Sequence, residues 1–180
     1  VIERLRQWWR SARHRDTKPF TDDASLCSLV LLLRAPRSFS LCELREAAER
    51  GWHRKFDGVE DPMYFAVEQK PIAMIKAGPS VMQVLQASKP YLSHTPEVLK
   101  HLHQPEQKKA CLDHFAWVAI DQWNRDLTKS EAYASLAKLA QQLSDENCSG
   151  LYLPGENILM PNDGTAEQGL WFLIRGELFQ

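Results

Sequence analysis

Two continuous apolar runs dominate the pattern along the chain. Leu26 to Arg34 and His114 to Ile120 are apolar at both odd and even positions, so each reads as a strand buried on both faces. After the first run, Ser40 and Glu43 form a capping box, and Leu41, Leu44, Ala47 and Ala48 mark one face of a short helix with Gly51 as its natural C-cap. Three strand-like runs follow, Met63 to Val67, Ile72 to Ala77 and Val81 to Ala87, with Gly78-Pro79 as the turn between the last two. Their short connections predict antiparallel pairing.

Lys89-Pro90 breaks the pattern. Thr95-Pro96-Glu97 starts a helix with Val98, Leu99 and Leu102 on its apolar side; Pro105 kinks or ends it, and Lys108 to Leu112 resumes as helix. Beyond the second apolar run, Thr128 and Glu131 form another capping box. The helix behind it carries Tyr133, Leu136, Leu139, Ala140 and Leu143 on one face and extends to about Asn147. Gly150 to Leu153 and Asn157 to Met160 are two short strands around Pro154-Gly155, and Thr165 opens a last helix. The predicted fold class is α+β: a mainly antiparallel sheet with helices on one face. Strand-helix-strand-strand recurs in two modules, residues 26–87 and 113–160, inside a single domain spanning 21–180.

Residues 1–20 are a different kind of chain. Six basic residues face two acids there, so the net charge of -1 for all 180 residues leaves about -5 on the remainder. Ile2, Leu5, Trp9 and Ala12 recur at helical spacing with Trp8 beside them, which predicts a basic amphipathic helix followed by a linker. Leu5, Trp8 and Trp9 are the candidate interaction face. That face can pack on its own domain, dock on a protein partner, or make peripheral membrane contact.

Composition narrows the function. An apolar fraction of 44% and a charged fraction of 25% are those of a globular chain. Near-neutral charge argues against a nucleic-acid partner. None of the four cysteines lies in a C-x-x-C pair, and Cys27 and Cys42 fall in apolar periodic segments, so reduced, buried thiols and a cytoplasmic setting are expected. The longest uninterrupted apolar stretch, Leu29 to Leu33, is far too short to span a bilayer.

Nucleotide-binding glycine loops, a nucleophile elbow, H-E-x-x-H and an EF-hand loop are all absent from the sequence. No cofactor and no metal is therefore expected. The candidate pocket rests on position: His114 opens the second central strand, Trp117 lies within it, Asp121 follows it, and Tyr152 lies on a neighbouring short strand. His94, His101 and His103 cluster within ten residues and read as solvated side chains.

The stretches MYFAVEQKPIAMIKAGPSVMQVLQASKPY, DHFAWVAIDQWN and AYASLAKLAQQLSDENCSGLYLPGENILMPND resemble an uncharacterised bacterial α+β domain family. The residues that carry the likeness are His114, Trp117, Asp121, Tyr133, Cys148, Tyr152 and Pro154. The resemblance covers residues 26 to about 165 and implies a bacterial α+β domain without naming a catalytic residue.

Three functions compete on these grounds. The first is a non-catalytic protein-interaction or regulatory domain that binds a protein partner or itself. The second is a metal-dependent enzyme of glyoxalase or dioxygenase-like architecture, with His114 as a ligand; the lack of a fourth strand in the second module counts against it. The third is a toxin-neutralising immunity-type protein with an acidic body. The reading leans toward the first.

Overall fold

The computed structural model describes residues 25–69, 72–124 and 127–177. The amphipathic segment 1–20, with Leu5, Trp8 and Trp9, lies outside them. Seven strands form one antiparallel sheet: β1 (Ser25–Leu33), β2 (Tyr64–Gln69), β3 (Ile72–Ala77), β4 (Ser80–Ala87), β5 (Ala116–Asn124), β6 (Cys148–Leu153) and β7 (Ile158–Pro161), in the order β2-β3-β4-β5-β1-β6-β7. The two apolar runs, β1 and β5, lie side by side at the centre over nine paired positions, Ser25 with Asn124 through Leu33 with Ala116.

The two modules share this sheet by crossing over. β1 leads through α1 (Leu41–Trp52) to β2 at one edge, while β5 leads through α4 (Lys129–Leu143) to β6 on the other side of β1. β1 and β5 run in opposite directions and their crossovers move to opposite sides, so crossovers of one hand place both helices on the same face. The first module supplies four strands, β1 to β4, and the second only three, β5 to β7.

On that face α1, α4 and α5 (Thr165–Ile174) enclose the larger core. β1 contributes Leu29, Leu31 and Leu33, β5 contributes Val118 and Ile120, and α4 contributes Leu136, Leu139 and Ala140. Both predicted capping boxes are formed: the Ser40 and Thr128 hydroxyls accept from the backbone N–H of Glu43 and Glu131, whose carboxylates accept in return from the backbone N–H of Ser40 and Thr128.

The opposite face is covered in part. Two short helices, α2 (Pro96–Leu99) and α3 (Pro105–Leu112), and the segment before them enclose a second cluster that includes Val30, Leu32, Leu92, Cys111, Ala119 and Tyr152. None of its members comes from β2, β3 or β4.

Four local expectations need correction. Gly51 is not the C-cap: α1 continues to Trp52 and His53 takes the left-handed position at φ 53°. A Cβ on Gly51 would lie 3.3 Å from the Lys138 carbonyl oxygen, so its role is the close approach of α1 to α4. Cys42 is exposed, because the buried stripe of α1 is Leu44, Ala47 and Ala48 and Cys42 points about 200° away from Leu44. Pro105 neither kinks nor ends the helix before it, which stops at Leu99; it starts α3, since a first-turn proline gives up no helical hydrogen bond. Helix α4 stops at Leu143, and Asn147 lies in the turn into β6, where its side chain exchanges hydrogen bonds with the Ala35 backbone.

Candidate functional site

The candidate pocket is a real cluster for three of its four residues, and Tyr91 is its centre. Tyr91 lies in the segment between β4 and α2. Its ring meets Trp117 edge-on at 5.3 Å between centroids and Tyr152 at 6.1 Å. The backbone N–H of Tyr91 and that of Leu92 both donate to His114 Nε2, at 3.1 and 3.0 Å. Trp117 lies on the face of β5 away from α4, because Ala116, Val118 and Ile120 take the α4 side.

His114 precedes β5 and is fully buried. Two donors aimed at Nε2 require a lone pair there, so the proton is on Nδ1 and is donated to the Cys111 carbonyl oxygen. His94 Nε2 lies 3.4 Å from the same Nδ1, and its ring stands edge-on to His114. Burial, opposed by the Cys111 hydrogen bond and aided by His94, pushes the His114 pKa down to about 4, so the ring is neutral at physiological pH. Its only lone pair is used by the backbone of Tyr91 and Leu92. A metal ligand needs that lone pair, so His114 acts as a staple between the segment before α2 and the junction of α3 with β5.

Tyr152 is buried and its hydroxyl donates to Asn157 Oδ1 at 3.0 Å. Asn157 holds φ 55° in the β6–β7 turn, a conformation asparagine tolerates better than most residues. Asp121 does not join the cluster, and it lies within β5 and not after it, because the ladder with β1 continues to Asn124. It shares the Trp117 face of β5 but lies four residues on, about 13 Å away at ~3.3 Å per residue. Its carboxylate accepts from the hydroxyl of Ser28, its directly paired partner on β1.

At that same end of the sheet, but on the helical face, lies a second polar group. Glu156 in the β6–β7 turn pairs with Lys129 at 2.7 Å and accepts from the Tyr133 hydroxyl at 3.3 Å. Burial and the neighbouring Glu156 push the Tyr133 phenol well above its usual range, and burial raises the Cys27 thiol against the opposing pull of Lys129. Neither group is a nucleophile at neutral pH. Gln122 is 1% exposed, and neither its amide nitrogen nor its oxygen has a hydrogen-bond partner. Among the described residues no group of three or more His, Cys, Asp or Glu could hold a metal ion. His101 and His103 are exposed, as the sequence predicts, but His94 is half-buried against His114 and is not a solvated side chain.

What the candidates did not include is the half of the second face over which no described helix packs. Ile75 and Ala77 of β3, Met82 and Val84 of β4, and Tyr64 and Ala66 of β2 face the helices. Strand alternation therefore sends Phe65, Val67, Met74, Val81 and Leu85 to the other side. Val67 pairs across to Met74, and Lys76 pairs to both Phe65 and Val81. Lys76 Nζ lies 6.0 Å from the Phe65 ring centroid. Val67 is 43% and Val81 39% exposed. The signal for this surface was present in the sequence: strands apolar at both parities, with only enough helix to cover one side.

Fold and site together define an α+β protein with a seven-stranded antiparallel sheet, an internally satisfied polar cluster and an apolar sheet face that the described residues cover only in part. Comparison with known proteins adds no relative: no family model, no curated protein and no solved structure matches the chain. Among the described residues no helix is long and apolar enough to cross a membrane.

Proposed function

We propose that this chain is a non-catalytic protein-interaction module and that the bare face of β2, β3 and β4 is its docking surface. The observation that carries the reading is the set Phe65, Val67, Met74, Val81 and Leu85, apolar side chains interspersed with Lys76 and Gln83, over which no described helix packs. The candidate pocket supports it from the other side. His114 and Tyr152 spend their polar atoms on the protein itself, so they hold the scaffold and leave no free acid, base or ligand. A toxin-neutralising role is one form such binding can take, and the acidic body is compatible with it. Four free cysteines fit a reducing, cytoplasmic setting, and the likeness to an uncharacterised bacterial domain family belongs to the same proposal.

The test is photo-crosslinking in the cells that make the protein. A crosslinking residue placed at Val67 or Val81 of the full chain is expected to capture a protein partner. The same residue at exposed Arg45, on the far side of α1, is expected to capture none. Equal capture at all three positions, or none at Val67 and Val81, overturns the reading.

A further inference from the structure

By strand alternation, β2, β3 and β4 place one charged side chain among the apolar ones on this face, and it is Lys76. We propose that the partner of the β2–β4 face is an acidic amphipathic helix, which lays its apolar stripe along Phe65, Val67, Met74, Val81 and Leu85 and sets a carboxylate opposite Lys76. This rests on the reading of that face as a docking surface and adds what kind of segment docks there.

The first supporting observation is charge. Lys76 is half-buried, and its direct ladder partners are Phe65 and Val81. Among the described residues no ion pair includes Lys76. Asp121 shares the face, but it lies two strands away on β5 and accepts from Ser28. An apolar partner laid over these strands takes water from the ammonium and leaves it unpaired, which is costly. A carboxylate opposite it offsets that cost with a charge-assisted hydrogen bond. The same argument disfavours other occupants. A basic segment repels Lys76, and a second copy packed through the same strands brings another Lys76 and no carboxylate from β2, β3 or β4 on that face.

The second observation is shape. Three strands are two spacings wide, about 10 Å, which is the width of one helix. Helices cover the same strands on their other face: α1 packs on β2 and β3, and α4 on β4. The 12 residues of α1 suffice for its share. A partner helix of that length is about 18 Å long, against about 20 Å for the six residues of β3.

The third is the edge. β2 ends the sheet, but the chain itself occupies part of its outer side. The Gly58 N–H donates to the Tyr64 carbonyl oxygen, the Ala66 N–H donates to the Phe56 carbonyl oxygen, and Asp57 is bridged to Phe65. An added strand would need those same backbone groups, so a helix on the face is favoured over a strand at the edge.

The experiment uses two synthetic peptides of about 14 residues. Both carry leucines at i, i+3, i+4 and i+7; one has glutamates beside that stripe and the other has lysines. Each is titrated into the purified, isotope-labelled full chain. The glutamate peptide is expected to bind and to shift the amide signals of Val67, Met74 and Val81. Its affinity should fall about tenfold in Lys76→Glu and persist in Lys76→Arg. The lysine peptide should bind only Lys76→Glu. All three proteins should melt together, because Lys76 has no ion pair to lose. Equal binding of both peptides to the wild type, binding of neither, or shifts confined to other residues overturns the proposal.

In cells the same variants carry the photo-crosslinking residue at Val81. Capture is expected to persist in Lys76→Arg and to be lost in Lys76→Glu. The captured segment, once sequenced, is expected to hold Asp or Glu beside a helical apolar stripe. A crosslink to a second copy, or to residues 1–20 of the chain itself, overturns the proposal. If Lys76→Glu captures the same protein as the wild type, the acidic helix fails and the docking surface stands. If no variant captures a protein, both fail.

Discussion

His114 is fixed at both ring nitrogens, and its neutrality has a cost at low pH. Its pKa falls from 6.5 to about 4 on folding. Between these values the unfolded chain binds a proton that the folded chain does not, so stability rises with pH across that window. The difference amounts to about 3 kcal/mol, fully lost once the pH is below 4 and fully regained above 6.5. His94, the Cys111 carbonyl and the Tyr91 and Leu92 N–H groups face the ring. Denaturant midpoints measured from pH 7 to pH 4 should fall for the wild type and fall less for His114→Gln. That variant keeps an amide oxygen as acceptor, whereas His114→Leu should lose about 1–3 kcal/mol at pH 7, because the N–H groups of Tyr91 and Leu92 then have none. An unchanged pH slope in His114→Gln would show that His114 is not the titrating group.

Gln122 makes the opposite prediction. A buried amide without a partner costs more than an apolar side chain of similar volume, so Gln122→Met should stabilise by about 1 kcal/mol and raise the melting temperature. Gly150 is intolerant for a different reason: a Cβ there would lie 2.9 Å from the Met160 carbonyl oxygen and 3.3 Å from Ala110 Cβ. Gly150→Ala should push β7 or α3 outward and lower the melting temperature, whereas Gly164→Ala, with φ 96° but no atom within 4 Å of the added carbon, reports backbone strain alone.

At the scale of elements, β2–β4 behave as a strand layer with one finished face. Val67→Lys with Val81→Lys should change stability by no more than about 0.5 kcal/mol, because both side chains are substantially exposed in the described structure. Leu29→Ala in central β1 should cost roughly 2–5 kcal/mol. Melting both variants beside the wild type separates surface from core. The elements themselves were legible in the sequence wherever periodicity was strong: β1 and β5 from unbroken apolar runs, and α1 and α4 from capping boxes that both formed. Ends were less legible. Gly51 lies inside α1 because tertiary packing against Lys138 decides its use, and Pro105 begins α3 because proline suits a first turn as well as a break. Tyr91 was missed as the hub of the polar cluster. It follows a proline in an irregular segment, and nothing local shows that its N–H will meet a histidine 23 residues on.

At the scale of the molecule, pairing order was the part that local patterns could not supply. Each module's first strand lies against the other module's first strand, and two crossovers of one hand leaving in opposite directions then put α1 and α4 on one face. Among the described elements α1, α4 and α5 lie on one face, and α2 and α3 cover the β1–β7 side of the other. Three of the four candidate residues, His114, Trp117 and Tyr152, converge on Tyr91; Trp117 and Tyr152 come from the β5 and β6 strands that flank β1, while Asp121 lies further along β5. On the proposed reading the docking surface is therefore the β2–β4 face, over which no described helix packs, and not the polar cluster. The most direct measurement is the native size of the full chain in fresh extract of its own cells, compared with Val67→Lys, Val81→Lys. The wild type should migrate above the 20.7 kDa of a single chain, and the equally stable double variant should migrate at that mass. Identical migration of the two proteins would contradict the docking role of the β2–β4 face.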